Sequence, residues 1–286
     1  MLTKNHQKTV LITGGTSGIG LAVAKLSIGE NYRVILIGSS ETRSLSAKNE
    51  MNRLYPNASI HYLYSDLSVQ ANIHTLALEV ISYLDHECDG ILDVLINNAG
   101  GVRDSYQPTV DGIEYQFALN HLSGFLLSNL LLSRLKNGMI LFTGSFSHRR
   151  MKIHWKDVMF KRRYFIFTAY RQSKLANLMT AKAFNEILTA DNIKSYVVDP
   201  GLVNTQIANK HTSWLVRFVW TWRSKKGTDP LVPAKTYIHL MKNRPIEGLY
   251  FKDSQIHPYN AEVDKPTEYK RLFELSEQLC NTRFQF

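Results

Sequence analysis

Cysteine is scarce in this chain of 286 residues, which contains only Cys88 and Cys280. Two cysteines exclude a disulfide framework and a cysteine-rich zinc site, and we expect no bound metal. Long hydrophobic runs are also missing, because no segment approaches the ~18–20 apolar residues of a membrane-spanning helix. The N-terminus lacks the apolar core of a secretory signal. These absences favour a reducing compartment such as the cytoplasm.

Short apolar runs alternate with longer segments of helical periodicity through most of the chain. The predicted strands are Thr9–Thr13, Val34–Ile37, Ile60–Leu63, Ile91–Ile96, Met139–Thr143 and Lys194–Val198, and a further strand is predicted at Gly248–Phe251. The predicted helices include Thr109–Arg134 and Thr168–Thr189. Short runs rich in Val, Ile and Leu are typical of parallel strands that are covered on both faces. Their alternation with helices indicates right-handed βαβ units.

The sequence therefore predicts an α/β fold with one domain over residues 1–286. We expect a doubly wound parallel sheet of the Rossmann type, flanked by helices. The pattern breaks after Pro200 and Gly201, and residues 205–226 are aromatic and basic. An insertion beyond the carboxyl end of a strand in such a sheet is placed to cover a ligand. We predict a helical segment near 205–226 that covers the substrate.

A glycine-rich turn follows the first predicted strand and leads into a helix. The predicted binding residues of this turn are Gly14, Thr16, Ser17, Gly18, Ile19 and Gly20. Glycines allow the backbone to approach a pyrophosphate, and the N-terminus of the helix supplies N–H donors and positive charge. The position of the turn, between the first strand and the first helix, indicates a dinucleotide site.

No acidic residue stands directly after the second predicted strand, where the chain reads Ser39 and Ser40 before Glu41. NAD-binding proteins usually place a carboxylate there to hold the ribose 2′-hydroxyl, and a carboxylate would repel a 2′-phosphate. Serine hydroxyls and the nearby Arg43 would hydrogen-bond that phosphate, unless Arg43 is simply a solvated helix residue. The pattern favours NADP(H), with NAD(H) as the alternative.

Two further segments lie at the same predicted edge of the sheet. Asp66 and Leu67 follow the third strand, where an adenine would lie, and Asn98, Ala99 and Gly100 follow the fourth. Asp66 taken alone is more typical of a helix N-cap or a turn than of an adenine site.

Tyr170 and Lys174 lie four residues apart in a predicted helix and therefore share one of its faces. A free tyrosine titrates near pH 10, and a neighbouring ammonium group lowers that pKa. We therefore expect Lys174 to make Tyr170 a better proton donor and acceptor near neutral pH.

Together these motifs resemble the short-chain dehydrogenase/reductase superfamily over almost the whole chain. The resemblance rests on TGGTSGIG at 13–20, NNAG at 97–100, Asn120, Ser145, YRQSK at 170–174, and Pro200 and Gly201 with Val203 and Thr205. SFSH after the fifth strand and YRQSKLAN in the helix are most similar to the retinol-dehydrogenase-like branch, which includes protochlorophyllide reductases. A basic residue that this branch places after the second strand is replaced here by Ser39.

The resemblance implies a role for each matching residue. Tyr170 would be the general acid in reduction and the base in oxidation, while Lys174 would tune it and hold the nicotinamide ribose. Ser145 would hydrogen-bond the substrate oxygen, and Asn120 would position a water between Lys174 and solvent. Pro200, Gly201, Val203 and Thr205 would line the nicotinamide, with Thr205 at its carboxamide or acting as a helix N-cap.

The implied activity is hydride transfer between NADP(H) and a carbonyl or alcohol group of a small or lipophilic organic substrate. A dinucleotide-binding regulator or scaffold without chemistry is the alternative, and a homo-oligomer is left open. Nucleic acid is not expected as a partner because no binding module is recognisable.

Two basic stretches, 149–163 and 210–226, account for the net charge of +10. Both contain aromatic residues, and three interpretations stay open. They are solvated parts of a substrate lid, peripheral attachment to anionic lipid, or a docking surface for an acidic carrier protein or an anionic substrate.

Overall fold

The computed structural model describes residues 7–135, 137–203 and 227–284. In these residues eight strands form one sheet in the order β3-β2-β1-β4-β5-β6-β7-β8. The strands are β1 (Thr9–Thr13), β2 (Arg33–Gly38), β3 (Ile60–Tyr64), β4 (Val94–Asn97), β5 (Met139–Thr143), β6 (Lys194–Val198), β7 (Tyr250–Lys252) and β8 (Gln255–Ile256). Neighbouring strands from β3 to β7 pair in parallel, and β8 is antiparallel to β7. The predicted parallel, doubly wound sheet is confirmed.

Helices cover both faces of this sheet because its side chains alternate between two apolar cores. Leu11 and Ile35 belong to one core, whereas Val10 and Val34 belong to the other. The helices are α1 (Gly18–Gly29), α2 (Glu41–Leu54), α3 (Gln70–Glu87), α4 (Tyr115–Phe117), α5 (Ser123–Leu130), α6 (Ile166–Ile187), α7 (Leu231–Asn243) and α8 (Pro266–Leu279). None of the helices in the described residues is long and apolar enough to cross a membrane.

The predicted helix Thr109–Arg134 begins later than predicted, at Tyr115, and it is not continuous. Residues before Tyr115 form a turn in which the Thr109 N–H donates to the Ile113 carbonyl and Gly112 has a φ of 74°. A π-helical turn, Ala118–Leu122, then separates α4 from α5. Such turns are frequent at functional sites, and this one contains Asn120.

Several strand and helix bounds also differ from the prediction. The fourth strand begins at Val94 rather than Ile91, and the seventh begins at Tyr250 rather than Gly248. The short strand β8 was not predicted, because two exposed residues carry no alternation that could reveal a strand. The predicted segment 205–226, Thr205 and the second basic stretch lie outside the described residues.

Candidate active site

The glycine-rich turn after β1 is tightly packed around three of its glycines, and a Cβ on Gly15 would lie 2.8 Å from the Ile12 carbonyl oxygen. Gly14 has a φ of 64°, and a Cβ there would lie 3.1 Å from Asn98 Nδ2. A Cβ on Gly20, in the first turn of α1, would collide with the Gly14 carbonyl oxygen. Gly18 has a φ of 52° and begins α1 beside the exposed Ser17. The turn from Gly14 to Gly20 therefore exposes its backbone, without side chains in the way, where the free N–H groups of α1 begin. A pyrophosphate site needs such a backbone, and we call this turn the cradle.

Thr13 and Asn98 join this turn to the end of β4. Thr13 Oγ1 accepts hydrogen bonds from the N–H groups of Asn98 and Ala99, at 2.9 and 3.0 Å. Asn98 Nδ2 donates in return to the Thr13 carbonyl at 3.0 Å, and Asn98 Oδ1 accepts from Thr143 Oγ1 at 3.1 Å. The structure therefore brings the predicted residues of β1 and β4 together and connects both to β5.

A pocket of about 330 Å³ opens at the carboxyl ends of β2 and β3. Its lining includes Ser39, Ser40 and Asp66, all predicted from the sequence. Asp66 Oδ1 accepts from the Ser68 N–H and hydroxyl at 3.0 and 2.7 Å, which confirms its turn geometry. The Leu67 side chain is buried in the core, so only its backbone can face a ligand. The glycine-rich turn and this pocket together fit a dinucleotide.

Arg43 lies one turn into α2, and its exposed side chain is not part of this pocket lining. Its backbone N–H donates to Ser40 Oγ at 3.3 Å, which makes Ser40 the N-cap of the helix. Thr16 Oγ1 accepts from Ser44 Oγ at 2.9 Å and so holds the glycine-rich turn against α2. The N-terminus of α2 is therefore fixed beside the cradle.

Ser145 and Tyr170 meet at the carboxyl edge of β5. Ser145 is the N-cap of the 3-10 turn Phe146–Arg150, and its Oγ accepts from the Ser147 N–H and hydroxyl at 3.3 and 3.0 Å. The Tyr170 hydroxyl, on α6, is hydrogen-bonded to the Ser145 side chain. The two residues that the sequence places on a substrate oxygen thus lie in direct contact.

The pKa of Tyr170 moves in the opposite direction to the sequence expectation. Burial raises it to about 12, Asp199 adds to the rise, and the hydrogen bond to Ser145 opposes it. Lys174 Nζ lies 5.7 Å from the centre of the Tyr170 ring and donates to the Thr143 carbonyl at 2.9 Å. The expected acidification of Tyr170 by Lys174 is therefore not seen, because desolvation of the phenolate is the largest influence on this pKa.

Lys174 is only 3% exposed, and burial lowers its pKa to about 8 while Asp199 opposes that shift. It lies beside the end of β4, since a Cβ on Gly100 would be 3.8 Å from Lys174 Nζ and 3.1 Å from Asn120 Oδ1. The structure therefore brings Lys174, Gly100 and Asn120 together.

Asn120 has more protein partners than the sequence suggested. Its Oδ1 accepts from the Gly101 N–H at 2.8 Å, and its Nδ2 donates to the Gly101 carbonyl and to Ser173 Oγ, both at 3.1 Å. Its own carbonyl accepts from Asn177 Nδ2 at 2.9 Å. Asn120 thus ties the loop after β4 to α6, and its role in positioning a water stays a prediction.

The turn after β6 begins with a buried acid that the sequence analysis did not single out. Gly201 has a φ of 67°, and its N–H donates to Asp199 Oδ1 at 2.9 Å. Asp199 Oδ2 accepts from the Tyr250 hydroxyl at 2.5 Å. Val203 is nearly buried and forms a parallel bridge with Thr228. The available signal was the acid directly before Pro200, at the end of a strand.

In the first basic stretch, 149–163, some side chains pack against the rest of the protein and others are exposed to solvent. Trp155 Nε1 donates to Glu268 Oε2 at 2.8 Å, Arg271 lies over the Trp155 ring at 4.2 Å, and Phe160 is buried. Lys161, Arg162 and Arg163 are exposed, as is Phe165. Some of its aromatic residues therefore hold the segment on α8, and lipid or carrier binding by this stretch stays a prediction.

Comparison with known proteins agrees with this geometry. The family model of the short chain dehydrogenases matches residues 8–216. The chain is 39% identical to the short-chain dehydrogenase TIC 32 A, chloroplastic, of Brassica napus, over 96% of this chain and 89% of that protein. It is 30% identical to the human retinol dehydrogenase 11, over 94% of this chain and 84% of that protein.

A solved structure with the same fold is that of an alcohol dehydrogenase from the archaeon Thermococcus sibiricus, complexed with 5-hydroxy-NADP. The TM-score is 0.65 at 20% identity, covering 88% of this chain and 100% of that one. The matched family model, together with the relatives, leads to one conclusion: the chain belongs to the short-chain dehydrogenase family of oxidoreductases and is similar to its retinol-dehydrogenase-like branch.

Proposed function

We propose that this protein is an NADP(H)-dependent oxidoreductase that interconverts a carbonyl and an alcohol group on a lipophilic organic substrate. The observation that carries the proposal is the contact between Ser145 and Tyr170, with the ammonium group of Lys174 buried beside them. The three side chains come from the turn after β5 and from α6, and they lie at the edge of the sheet where the dinucleotide cradle also opens.

The roles of these residues follow from their hydrogen-bonding chemistry. Ser145 Oγ, held by its bonds from Ser147, donates to the substrate oxygen and stabilises the negative charge that develops there. Tyr170 is a phenol at neutral pH, and its raised pKa keeps it protonated at higher pH as well, so it donates a proton to that oxygen during reduction. A bound nicotinamide supplies or accepts the hydride. Lys174 holds the ribose and balances the charge beside Tyr170.

NADP(H) is proposed over NAD(H) because no carboxylate stands at residues 38–40, directly after β2. Ser39 and Ser40 line the adenosine-side pocket, and Arg43 lies one turn further along α2. The solved alcohol dehydrogenase of the same fold is complexed with an NADP derivative, which supports this preference. Asp66 and Glu79 also line the pocket, and their negative charges would repel a 2′-phosphate. The attraction for that phosphate therefore has to come mainly from the positive charge of Arg43.

A lipophilic substrate is proposed from three exposed apolar side chains that lie within three residues of the site. Phe146 follows Ser145, Leu202 follows Gly201, and Phe167 precedes Tyr170 by three residues; their exposed fractions are 60%, 52% and 41%. Apolar surface around a reaction site favours substrates that bury it. The relatives named as retinol dehydrogenases are consistent with such a substrate class.

The catalytic proposal is tested by NADPH consumption with two aldehydes, 4-nitrobenzaldehyde and all-trans-retinal. Tyr170→Phe should lower kcat/KM at least ~100-fold, because it removes the proton donor. Its NADPH affinity should stay within about twofold of the wild-type value. Tyr259→Phe is the matched control, since that hydroxyl donates to Asp264 outside the site. A Tyr170→Phe variant with wild-type turnover would overturn the assigned role.

The same assays separate an enzyme from a dinucleotide-binding regulator. Wild-type protein that binds NADPH tightly but reduces no member of a broad carbonyl panel would support the regulator instead.

The cofactor preference is tested by titrating the protein with NADPH and with NADH. Arg43→Ala should weaken NADPH binding about tenfold and leave NADH binding unchanged, because only NADPH carries the phosphate that Arg43 would contact. Arg53→Ala, at an exposed position in the last turn of the same helix, is the matched control. Equal affinities of the wild-type protein for both cofactors would contradict the preference.

A further inference from the structure

Asp199 is a buried carboxylate whose direct partners, within the described part of the chain, are neutral. It is 4% exposed, and its two oxygens accept from the Gly201 N–H and the Tyr250 hydroxyl at 2.9 and 2.5 Å. Burial and the negative charge of Asp199 both raise the pKa of Tyr250, so Tyr250 stays an uncharged donor. These bonds hold the carboxylate in place but leave its charge uncompensated, and a buried charge without a counter-ion is costly.

The strand register places this charge behind the catalytic pair. Val198 pairs with Thr143, the residue whose carbonyl accepts from Lys174 Nζ, and the Gly144 N–H donates to the Val198 carbonyl at 2.7 Å. Asp199 therefore follows β6 at the level where β5 leads into Ser145. Its charge acts on Tyr170 and on Lys174, raising the pKa of both.

Among the residues that the structure describes, the other charged or titratable groups around Asp199 come from four parts of the fold. They are Tyr170 and Lys174 on α6, His148 and Arg149 in the turn after β5, Tyr237 on α7, and Tyr250 and Lys252 on β7.

Among the cationic side chains of this group, Lys174 is buried, whereas Arg149 and Lys252 are partly exposed. Lys252 lies 3.9 Å from the exposed Asp253, and Arg149 is half-buried and donates to the Pro258 carbonyl. Burial lowers the pKa of His148, which favours its neutral form. The electrostatic partner of Asp199 inside the site is therefore Lys174.

We propose that Asp199 is the internal counter-ion of the Tyr170–Lys174 pair, keeping Lys174 as an ammonium and Tyr170 as a phenol, and so setting the site for carbonyl reduction. The proposal deepens the proposed function and rests on it for the direction of the reaction. Asp199 acts through Tyr170 and Lys174 and is a positioning residue, while Tyr250 fixes the carboxylate.

The first test is the pH profile of NADPH-dependent reduction of 4-nitrobenzaldehyde by the wild-type protein and by Asp199→Asn. Reduction needs both the ammonium and the phenol, so activity falls as pH rises and the coupled pair loses a proton. Removing the carboxylate makes both groups lose protons more easily. The alkaline limb should therefore move to lower pH by roughly one unit.

Two variants control this profile. Tyr250→Phe removes the hydrogen bond but keeps the charge of Asp199, so its alkaline limb should stay with that of the wild type. Asp253→Asn makes the same change at an exposed carboxylate next to β7 and should also leave the limb in place. The proposal would be overturned if Asp199→Asn lowered the rate at every pH without moving the alkaline limb of the profile.

The second test needs no turnover and uses a double-mutant cycle of Asp199→Asn and Lys174→Met in urea unfolding. At pH 7, Asp199→Asn should lower the folding equilibrium constant at least about fivefold more with Lys174 present than in the Lys174→Met background. This difference should shrink toward pH 10 as Lys174 loses its proton. Equal losses in both backgrounds would refute the pairing. If the wild type reduces no aldehyde while the cycle shows coupling, the proposed function fails and the ion pairing stands.

Discussion

At the scale of single residues, burial decides the ionisation of the site. Tyr170 and Lys174 were expected to interact mainly with each other, as an ammonium beside a phenol. Instead both respond most strongly to their own desolvation, which raises the pKa of Tyr170 to about 12 and lowers that of Lys174 to about 8. Each shift favours the neutral form of its side chain. At neutral pH Tyr170 is therefore a phenol, and Lys174 is an ammonium group that loses its proton more easily than an exposed lysine does.

One prediction follows for the stability of the cofactor-free protein. The pKa of Lys174 falls from 10.5 to about 8 on folding, so its charge destabilises the fold below pH 8, and this cost disappears as pH rises toward 10.5. The full cost is about 3 kcal/mol, and the lost hydrogen bond to Thr143 offsets part of it. In an Asp199→Asn background, where no buried carboxylate loses its counter-ion, adding Lys174→Met should therefore raise the free energy of unfolding by at least about 2 kcal/mol at pH 7.

Urea unfolding at pH 7 and pH 9.5 measures this difference, which should be smaller at the higher pH. Lys182→Met is the matched control, because Lys182 lies on the same helix but is half-exposed beside Asp264. A double variant less stable than Asp199→Asn alone at both pH values would show that burial of the Lys174 charge is not costly.

At the scale of elements, the glycine-rich turn depends on one close approach between a strand end and a helix. A Cβ on Gly20 would collide with the Gly14 carbonyl oxygen and lie 2.7 Å from Asn98 Nδ2. The first of these neighbours is backbone and cannot move without opening the turn. The second also holds the end of β4 through Thr13.

Gly20→Ala should therefore weaken NADPH binding at least about tenfold, since the cradle must open to admit the methyl group. Gly29→Ala is the matched control at the other end of α1, where no atom lies within 4 Å of an added Cβ. That control should keep its NADPH affinity and gain up to about 1 kcal/mol of stability, because alanine has less backbone entropy to lose. NADPH titration and urea unfolding of both variants decide the matter. Unchanged NADPH affinity in Gly20→Ala would remove the turn from the binding site.

At the scale of the whole molecule, an aromatic cluster joins segments that are distant in sequence. Phe125 on α5, Phe142 on β5, Phe184 on α6, Phe273 on α8 and the C-terminal Phe284 contact one another with ring centroids 5.1–6.2 Å apart. Phe284 is 5% exposed and touches three of the other four rings. The C-terminal segment therefore closes the core beneath α6, the helix that carries Tyr170 and Lys174.

Phe284→Ala should lower the free energy of unfolding by about 3 kcal/mol, as expected for a buried aromatic side chain truncated in a packed core. NADPH affinity should remain within about twofold, because the cluster lies below the site and not in it. Leu78→Ala, at a position that is 69% exposed, serves as the control and should change stability by less than about 0.5 kcal/mol. A loss below about 1 kcal/mol in Phe284→Ala would show that the C-terminal segment adds little to the core.

The sequence by itself determined the alternating α/β architecture, the glycine-rich turn and the pairing of Tyr170 with Lys174 on one helix face. These features are local, because strand and helix periodicities, turns and i, i+4 spacings are set by neighbouring residues. It also placed Asp66, Asn98 and Gly100 at one edge of the sheet, since parallel strands end there, whereas the roles of Asn120 and Ser145 came from the family resemblance.

Only the tertiary structure decided the ionisation of the site and the place of Asp199. The pKa of a side chain depends on the solvent removed from it and on the charges brought near it, and both come from segments that are far apart in the chain. Asp199 and Tyr250 are 51 residues apart, and the position of Asp199 before Pro200 does not reveal that its carboxylate lies buried against the Tyr250 hydroxyl. The π-helical turn around Asn120 likewise departs from a regular helical periodicity that the sequence alone suggested.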